Sequence, residues 1–227
     1  MAKVRTITKK LKNTDDYEFV PETPANTNYK IYASANGNKI YDAGGNDSLY
    51  GGNGDDTLIA TEGNDTLSGG KGGNTLTISG AESGNDTILL GKGTDHLTFD
   101  QSDSFAYSKS GNDLIISHKV GDNNNGQVTV KNYFKYAEDA ASLKDLAYGG
   151  NEARDLNALI NEAGLTLTNV TSKNKKIAGT YLSDVIEAQG KTNNTITTGK
   201  GDDTITAGLG KDTIKINDTG IKTIKIA

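Results

Sequence analysis

The feature that most constrains this chain is a nine-residue period that keeps its phase over five consecutive units. These units occupy residues 33–41, 42–50, 51–59, 60–68 and 69–77. Residues 78–80 interrupt the phase, and two more units follow at 81–89 and 90–98. A nine-residue unit cannot bury its own apolar face, so the period predicts a solenoid in which repeats stack on one another.

Each unit joins a polar, glycine-rich half to one aliphatic residue. The clearest copy is 51–59, with the sequence GGNGDDTLI. The eighth position is always Ile or Leu, at Ile40, Leu49, Leu58, Leu67, Leu76, Ile88 and Leu97. The sixth is always Asp or Asn, at Asn38, Asp47, Asp56, Asp65, Asn74, Asp86 and Asp95. A disordered Gly/Asn/Asp-rich linker is the alternative, but disorder requires no aliphatic residue at every ninth position.

A more degenerate block repeats the pattern near the end of the sequence. Its units occupy 179–187, 189–197, 198–206 and 207–215, with a last candidate at 217–225. The sixth positions are Asp184, Asn194, Asp203, Asp212 and Lys222. The linker alternative stays open here, and the lysine predicts that the last unit binds no metal.

The geometry of stacked units predicts calcium as the ligand. Two units make one coil of 18 residues, and coils stack at the strand spacing of about 4.8 Å, so turns two repeats apart lie side by side. Asp supplies 21 of the 29 acidic residues, and the facing carbonyls and carboxylates repel one another without a cation. Calcium accepts six to eight oxygens in irregular geometry, whereas magnesium demands an octahedron. The absence of Cys, with only two His, excludes thiolate zinc sites and disfavours imidazole-rich ones.

Residues 33–98 and 179–215 resemble the RTX, or hemolysin-type calcium-binding, repeats. The copy at 51–59 matches the nonapeptide GGxGxDxUx at every defined position. The resemblance implies a parallel β-roll, several bound calcium ions and export by a type I secretion apparatus. We therefore expect a secreted, extracellular or cell-surface module of a cytolysin or adhesin, whose partner would be a host-cell surface or glycan. The alternatives are an accessory module of a secreted protease, lipase or polysaccharide epimerase, and an S-layer component.

The resemblance also implies metal ligands. In that family an ion bridges carbonyls at positions two and four and the Asp of one turn to carbonyls at positions one and three and the Asp two repeats later. Carried over, this pairs Ala43, Gly45 and Asp47 with Ala60, Glu62 and Asp65, and Gly52, Gly54 and Asp56 with Gly69, Lys71 and Asn74. A weaker set pairs Ser34, Asn36 and Asn38 with Gly51, Asn53 and Asp56. The other predicted ligands are Gly63, Gly70, Gly72, Asp86, Asp95, Asp184, Asn194, Asp203 and Asp212. The insertion at 78–80 leaves the Asp65–Asp86 and Asn74–Asp95 pairings open, and Ala188 does so for Asp184–Asp203.

Residues 99–165 predict an α+β insert between the two blocks. The stretches 105–109, 112–118 and 127–134 predict antiparallel strands, and 138–148 and 152–163 predict two helices, the second with Asn151 as N-cap. By resemblance, Tyr133 and Phe134 cap the roll. Residues 1–32 predict an extended lead-in or cap, and 166–227 the second block with its C-terminal cap. The expected fold is therefore mainly β: two parallel β-roll (β-solenoid) blocks flanking the insert.

Other functions lack support in the sequence. No HExxH, GxSxG or phosphate-loop GK[ST] motif occurs, so no catalytic residue or organic cofactor is assigned and we expect no enzyme activity. His96 and His118 are expected at the surface. The net charge of −5 disfavours nucleic acid, and no run approaches the roughly 18 apolar residues of a transmembrane segment. The basic N-terminus also lacks the apolar stretch of a cleaved signal peptide.

Overall fold

The computed structural model describes residues 5–10, 17–19, 27–33, 35–42, 44–80, 84–101, 104–120, 123–135, 143–169, 176–188, 191 and 193–226. The chain divides into two compact units. Unit 1 is Met1–Ala106 with Asn112–Leu156, and unit 2 is Tyr107–Gly111 with Asn157–Ala227. Among the described residues, no helix combines the length and apolarity that crossing a bilayer requires.

The secondary structure is almost entirely short strands. The first nine strands are β1 (Arg5–Lys10), β2 (Tyr17–Phe19), β3 (Thr27–Tyr32), β4 (Asn38–Tyr41), β5 (Ser48–Gly52), β6 (Thr57–Ala60), β7 (Thr66–Ile78), β8 (Gly84–Leu89) and β9 (Lys92–Phe99). There follow β10 (Ser104–Ser110), β11 (Asp113–Val120), β12 (Asn123–Lys131), a 3-10 turn at Tyr133–Lys135, β13 (Leu143–Tyr148), β14 (Arg154–Asp155) and the helix α1 (Leu156–Ala163). The remaining strands are β15 (Leu165–Asn169), β16 (Lys176–Ala178), β17 (Asp184–Ala188), β18 (Thr195–Thr197), β19 (Asp203–Ala207), β20 (Thr213–Lys215) and β21 (Lys222–Ile226).

Unit 1 is a solenoid with two stacks of parallel strands. One stack runs β1, β3, β5, the start of β7, β8 and β12, and the other runs β2, β4, β6, the end of β7, β9 and β13. Ser48 pairs with Thr66 and Thr57 with Thr75, so each coil spans 18 residues. The predicted coil of two nonapeptides is confirmed. Across the insertion the offset becomes 21 residues, as in Asn74 with Asp95.

The core of unit 1 is a column of aliphatic side chains inside the coils. Every eighth-position residue is fully buried, at 0% exposure. Side chains alternate along a strand, so the neighbours of each buried residue face outward and remain partly exposed. Burying one Leu or Ile side chain contributes roughly 1.5–3 kcal/mol, so the column stabilises the solenoid whatever its turns bind.

Unit 2 repeats this architecture on a smaller scale. One stack runs β15, β17, β19 and β21, and the other runs β16, β18 and β20. Ile186 pairs with Ile205 at an offset of 19 residues, because these coils are one residue longer. The helix α1 meets the first turn, where Ser183 N donates to Asn161 Oδ1 at 2.8 Å. Gly164 closes the helix at a φ of +77°, and its N–H donates to Ile160 O at 2.9 Å.

The solenoid begins before residue 33, unlike the predicted lead-in. Strand β3 pairs with both β1 and β5, and its Tyr29 and Ile31 are buried. The expectation of an unpacked segment is therefore wrong for Thr27–Tyr32. Its turns lack the glycine pattern, but its alternation of buried and partly exposed residues lets it pair as a strand.

The insert is only partly as predicted. Strands β11 and β12 pair antiparallel, as expected, but β12 also pairs parallel with β8 and so extends the solenoid. Leu143–Tyr148, expected to be helical, forms β13 on the edge of β9, which satisfies the polar groups of that edge; residues 138–142 lie outside the described part. The second predicted helix begins only at Leu156, and the Asn151 amide donates to Tyr148 O instead of capping it. Among the described residues there is thus one α-helix where two were predicted.

Aromatic residues pack beside these added strands. Tyr133 is 1% exposed and its ring meets that of Phe134 edge-on, with centroids 5.2 Å apart. His118 is also 1% exposed and lies against the Phe99 ring, so its expected surface position is wrong. His96 is partly exposed and pairs with Asp145 at 2.7 Å. The imidazoles therefore have packing and ion-pair roles.

Candidate metal sites

The sixth-position residues of unit 1 form two rows along the solenoid. The first row is Asp47, Asp65 and Asp86; the second row is Asn38, Asp56, Asn74 and Asp95. In the first row, Asp47 N donates to Asp65 Oδ1 at 2.7 Å, and Asp65 N donates to Asp86 Oδ1 at 2.8 Å. One oxygen of each acceptor carboxylate thus ties its coil to the preceding coil.

The second row follows the same rule. Asn38 N donates to Asp56 Oδ1 at 2.8 Å and Asp56 N to Asn74 Oδ1 at 2.9 Å. The Asn74 amide donates to Asp95 Oδ1 at 2.8 Å. The structure therefore brings together every predicted pair in unit 1, including the two that the insertion left open. Both Asp86 and Asp95 follow the insertion, so it shifts the two rows equally.

The second carboxylate oxygen is what marks these turns as metal sites. The Oδ2 atoms of Asp56, Asp65, Asp86 and Asp95 are buried, and no hydrogen-bond donor among the described residues reaches them. The four residues are each at most 1% exposed. A buried carboxylate oxygen without a partner costs about 1–3 kcal/mol, and more when charged. A cation between the turns would remove that cost.

Burial also opposes ionisation of these carboxyl groups. It raises the pKa of Asp56 to about 7 and that of Asp86 to about 7. The pKa of Asp65 is raised too, first by burial and then by the nearby charges of Asp42 and Asp86. All three carboxylates would be ionised readily at neutral pH only with positive charge beside them.

Glycine at the first position leaves room for oxygens from two coils. A Cβ at Gly51 would lie 2.4 Å from Asp56 Oδ2 and 2.5 Å from Gly69 O. The same arrangement recurs in unit 2, where a Cβ at Gly179 would lie 1.8 Å from Thr198 O and 2.7 Å from Asp184 Oδ2. Carbonyl and carboxylate oxygens that converge in this way fit calcium, a hard cation that takes only oxygen ligands here.

The remaining predicted ligands lie in the turns around these carboxylates. Asn53 and Lys71 are exposed turn residues, and the glycines in the turns with positive φ are Gly45, Gly52, Gly54, Gly63, Gly70 and Gly72. Two predicted carbonyl ligands already accept backbone bonds, Ala60 O from Ser79 N at 2.8 Å and Glu62 O from Gly45 N at 2.9 Å. Ala43 and Ser34 lie outside the described residues.

Asp42 is a candidate ligand that the sequence motif missed. Its carboxylate lies with those of Asp47 and Asp65, and one oxygen from each falls within 4.8 Å of the others. Asp42 occupies the first position of its unit, where the nonapeptide has Gly. An acidic residue in place of that Gly was the available signal.

In unit 2 the structure also pairs the predicted residues. Asp184 N donates to Asp203 Oδ1 at 2.9 Å, and Asn194 N to Asp212 Oδ1 at 2.7 Å. The Asp184 carboxylate accepts from Thr180 N at 2.6 Å and from Thr180 Oγ1 at 2.9 Å. Burial raises the pKa of Asp184 to about 7. The extra residue Ala188 is thus absorbed without loss of the Asp184–Asp203 pairing.

Lys222 places a cation of the chain itself in the last of these turns. Its side chain is 4% exposed, with Nζ 3.1 Å from Asp203 Oδ2 and 2.7 Å from Asp218 Oδ1. The ammonium also donates to Gly201 O. Positive charge therefore already faces Asp203, which supports the prediction that this last unit takes no metal.

A comparison with protein families agrees with the geometry. A profile of the RTX calcium-binding nonapeptide repeat matches in four copies, at residues 32–76, 81–106 and 190–215. The chain carries RTX calcium-binding repeats. The matches include both rows of unit 1 and the Asn194–Asp212 pair, and the RTX pattern breaks at the insertion. Asp184 and Lys222 lie outside the matched RTX stretches. A comparison with curated protein sequences gave no match.

Proposed function

We propose that this chain is the calcium-binding RTX module of a secreted exoprotein and that it completes its fold by binding several calcium ions. The observation that carries the proposal is the set of buried Oδ2 atoms at Asp56, Asp65, Asp86 and Asp95, which no donor among the described residues reaches. The RTX repeats support calcium as the ion, because repeats of this pattern bind calcium.

The residues of the turns divide the work of holding an ion. Each Asp ties its coil to the preceding one through Oδ1 and presents Oδ2 to the space between turns. Glycine at the first position keeps that space open. Calcium would supply the positive charge that lets adjacent carboxylates ionise together. Because the two halves of a site come from different coils, an unfolded chain cannot offer them together, and binding energy becomes folding energy.

Such coupling fits export followed by folding outside the cell. At low calcium the carboxylates would repel one another and keep the coils apart, whereas at the millimolar calcium of extracellular fluids the sites would fill. RTX repeats are typical of extracellular proteins, and we propose type I secretion and a parent protein of the cytolysin or adhesin class. The role proposed for this chain is structural, with no catalytic step.

Calorimetric titration with calcium, followed in parallel by circular dichroism, tests the proposal. We expect saturable binding of several ions together with a gain of β-structure, and a higher melting temperature in about 5 mM CaCl₂ than in EDTA. Each site at 100 times its Kd adds about 2.7 kcal/mol to the free energy of unfolding. Magnesium at the same concentration is the control and should give a smaller shift. Equal melting temperatures in EDTA and calcium would defeat the proposal.

A further inference from the structure

We propose that Asp42, Asp47 and Asp65 form a three-carboxylate cation site that binds calcium more tightly than the other inter-turn sites of this chain. The inference deepens the proposed function, since it takes calcium binding as given and singles out one site. The RTX motif assigns Asp47 and Asp65 to an ordinary inter-turn site. The Asp42 side chain is the addition that the motif does not contain.

The three side chains converge because Asp42 and Asp47 flank the same turn and Asp65 lies in the next coil. Their ligand oxygens are mutually within 4.8 Å. The residues are 5%, 1% and 1% exposed, so solvent does little to screen their charges. A cluster of three buried carboxylates with this spacing has the dimensions of one calcium coordination shell, in which each Ca–O distance is about 2.3–2.6 Å.

Thr61 holds the Asp42 carboxylate in place from the neighbouring coil. Thr61 N donates to Asp42 Oδ2 at 2.8 Å, and Thr61 Oγ1 donates to Asp42 Oδ1. A carboxylate offers about four lone-pair sites, so Asp42 can accept both bonds and still ligate an ion. Thr61 is thus a positioning residue for this site.

An independent observation indicates that the cluster faces a ligand. Asp65 Oδ2 is buried and receives no hydrogen bond from the described residues, although Asp65 Oδ1 accepts from Asp47 N. The unsatisfied oxygen belongs to a residue of the cluster and is enclosed with other acceptors. Only a proton or a metal cation satisfies an oxygen in such surroundings.

Charge distinguishes this site from the others in the chain. Three carboxylates give it a formal charge of −3, against −2 for Asp65 with Asp86 and −1 for Asp56 with Asn74. Calcium affinity rises with the number of charged ligands, so the Asp42 site should fill first. A trivalent lanthanide such as Tb³⁺ would neutralise the site fully and should be preferred over calcium there. Tyr29 is a suitable sensitiser, because it is buried and its N–H donates to Asp47 Oδ1.

The test compares Asp42→Asn with Asp55→Asn in the full chain. Both variants remove one negative charge, but Asp55 is an exposed turn residue whose Oδ1 accepts from Gly73 N, a bond that Asn preserves. Binding is followed by calcium calorimetry and by tyrosine-sensitised Tb³⁺ luminescence. We expect Asp42→Asn to weaken the tightest calcium Kd by roughly tenfold or more and to remove the first Tb³⁺ phase. Asp55→Asn should retain both.

The outcomes separate the site from the general calcium proposal. If the wild-type chain binds calcium and Asp42→Asn has the same tightest Kd and Tb³⁺ phase, the three-carboxylate site is wrong while the module proposal stands. If the wild type binds no calcium, the module proposal itself fails. Should Asp42→Asn not fold at saturating calcium, Thr61→Val decides. We expect it to weaken the tightest Kd by up to about tenfold, as loss of an orienting hydrogen bond does, and an unchanged Kd would overturn the site.

Discussion

The inter-turn spaces of unit 1 and the last one of unit 2 share the same scaffold but differ in the source of their positive charge. In unit 1, Asp56, Asp65, Asp86 and Asp95 each bury an oxygen that no described donor reaches. In unit 2, Asp203 occupies the corresponding position, but Lys222 of the next coil lies 3.1 Å from it. One space depends on an ion from solution, and the other carries its cation within the chain.

The difference teaches that calcium dependence is decided coil by coil at the sixth position. An Asp there adds a charge that needs a counterion, an Asn adds an acceptor without charge, and a Lys supplies the counterion itself. The aliphatic core is the same in all three cases, since Leu58 and Ile205 are both fully buried. Stability from the core and stability from the turns can therefore be tested separately.

Leu58→Ala should have the largest effect and should not depend on calcium. Leu58 is 0% exposed, and truncation of such a residue removes apolar burial and leaves a cavity. We expect a loss of about 2–5 kcal/mol in the free energy of unfolding, similar in EDTA and in calcium, measured by denaturant titration. The exposed residue Lys39 provides the control, as Lys39→Ala should change little. A loss confined to the calcium condition would show that core and turns are not separable.

Lys222→Met should make the last coil of unit 2 resemble unit 1. It removes the ammonium that faces Asp203 and Asp218 but keeps much of the apolar stem. We expect a loss of about 1–3 kcal/mol in EDTA, because buried acceptors lose their donor, and partial recovery in calcium. Hydrogen exchange over 203–226 reports it locally, with Lys225→Met, an exposed neighbour, as control. Unchanged exchange in EDTA would refute the role of Lys222 as an internal cation.

Asp56→Asn should shift stability in opposite directions with and without calcium. Asn keeps the acceptor for Asn38 N but removes the buried charge. In EDTA we expect a gain on the order of 1 kcal/mol, since burial of an uncompensated charge is relieved, and in calcium a smaller increment from the ion. Thermal melts of the variant and of Asp55→Asn give the comparison. A loss in EDTA equal to that in calcium would contradict the charge argument.

The smallest effect is the pH dependence, whose sign should reverse with calcium. Burial raises the pKa of Asp56 and Asp86 to about 7, above the roughly 3.9 of an unfolded Asp. The calcium-free folded chain then binds more protons than the unfolded chain, so in EDTA stability is present near pH 4 and is lost as the pH rises through about 7. With calcium the carboxylates ionise as ligands, and stability should instead fall as the pH falls. Melts at pH 5.5 and 8 in both conditions check this, and the same sign in both would count against it.

The repeat itself was predictable because one residue type recurs at each structural position. The aliphatic residue every nine positions gave the column of the core, and the sixth-position Asp or Asn gave both rows of turns, including the offset across the insertion. The glycine pattern located those turns, because close stacking excludes a side chain. At Gly63, for example, a Cβ would lie 1.5 Å from Gly45 O.

What the sequence did not predict depends on contacts with neighbouring coils. Strand β3 joins the solenoid without any glycine motif, because β5 offers it an edge. Leu143–Tyr148 has apolar residues at a helical spacing, but the edge of β9 makes it a strand with Leu143 and Leu146 buried. Asp42 enters the first row only because Thr61, 19 residues later, fixes its carboxylate. None of these partners is visible from local pattern alone.

Hydrogen exchange of the whole chain in EDTA and in about 5 mM CaCl₂ tests the central claim most directly. The amides of Asp47, Asp56 and Asp65 donate to carboxylate or amide oxygens of the next coil and report each inter-turn space. We predict that calcium slows exchange strongly over 44–76, while 203–226, which already holds Lys222, changes much less. Equal protection of 44–76 in EDTA and in calcium would contradict the account.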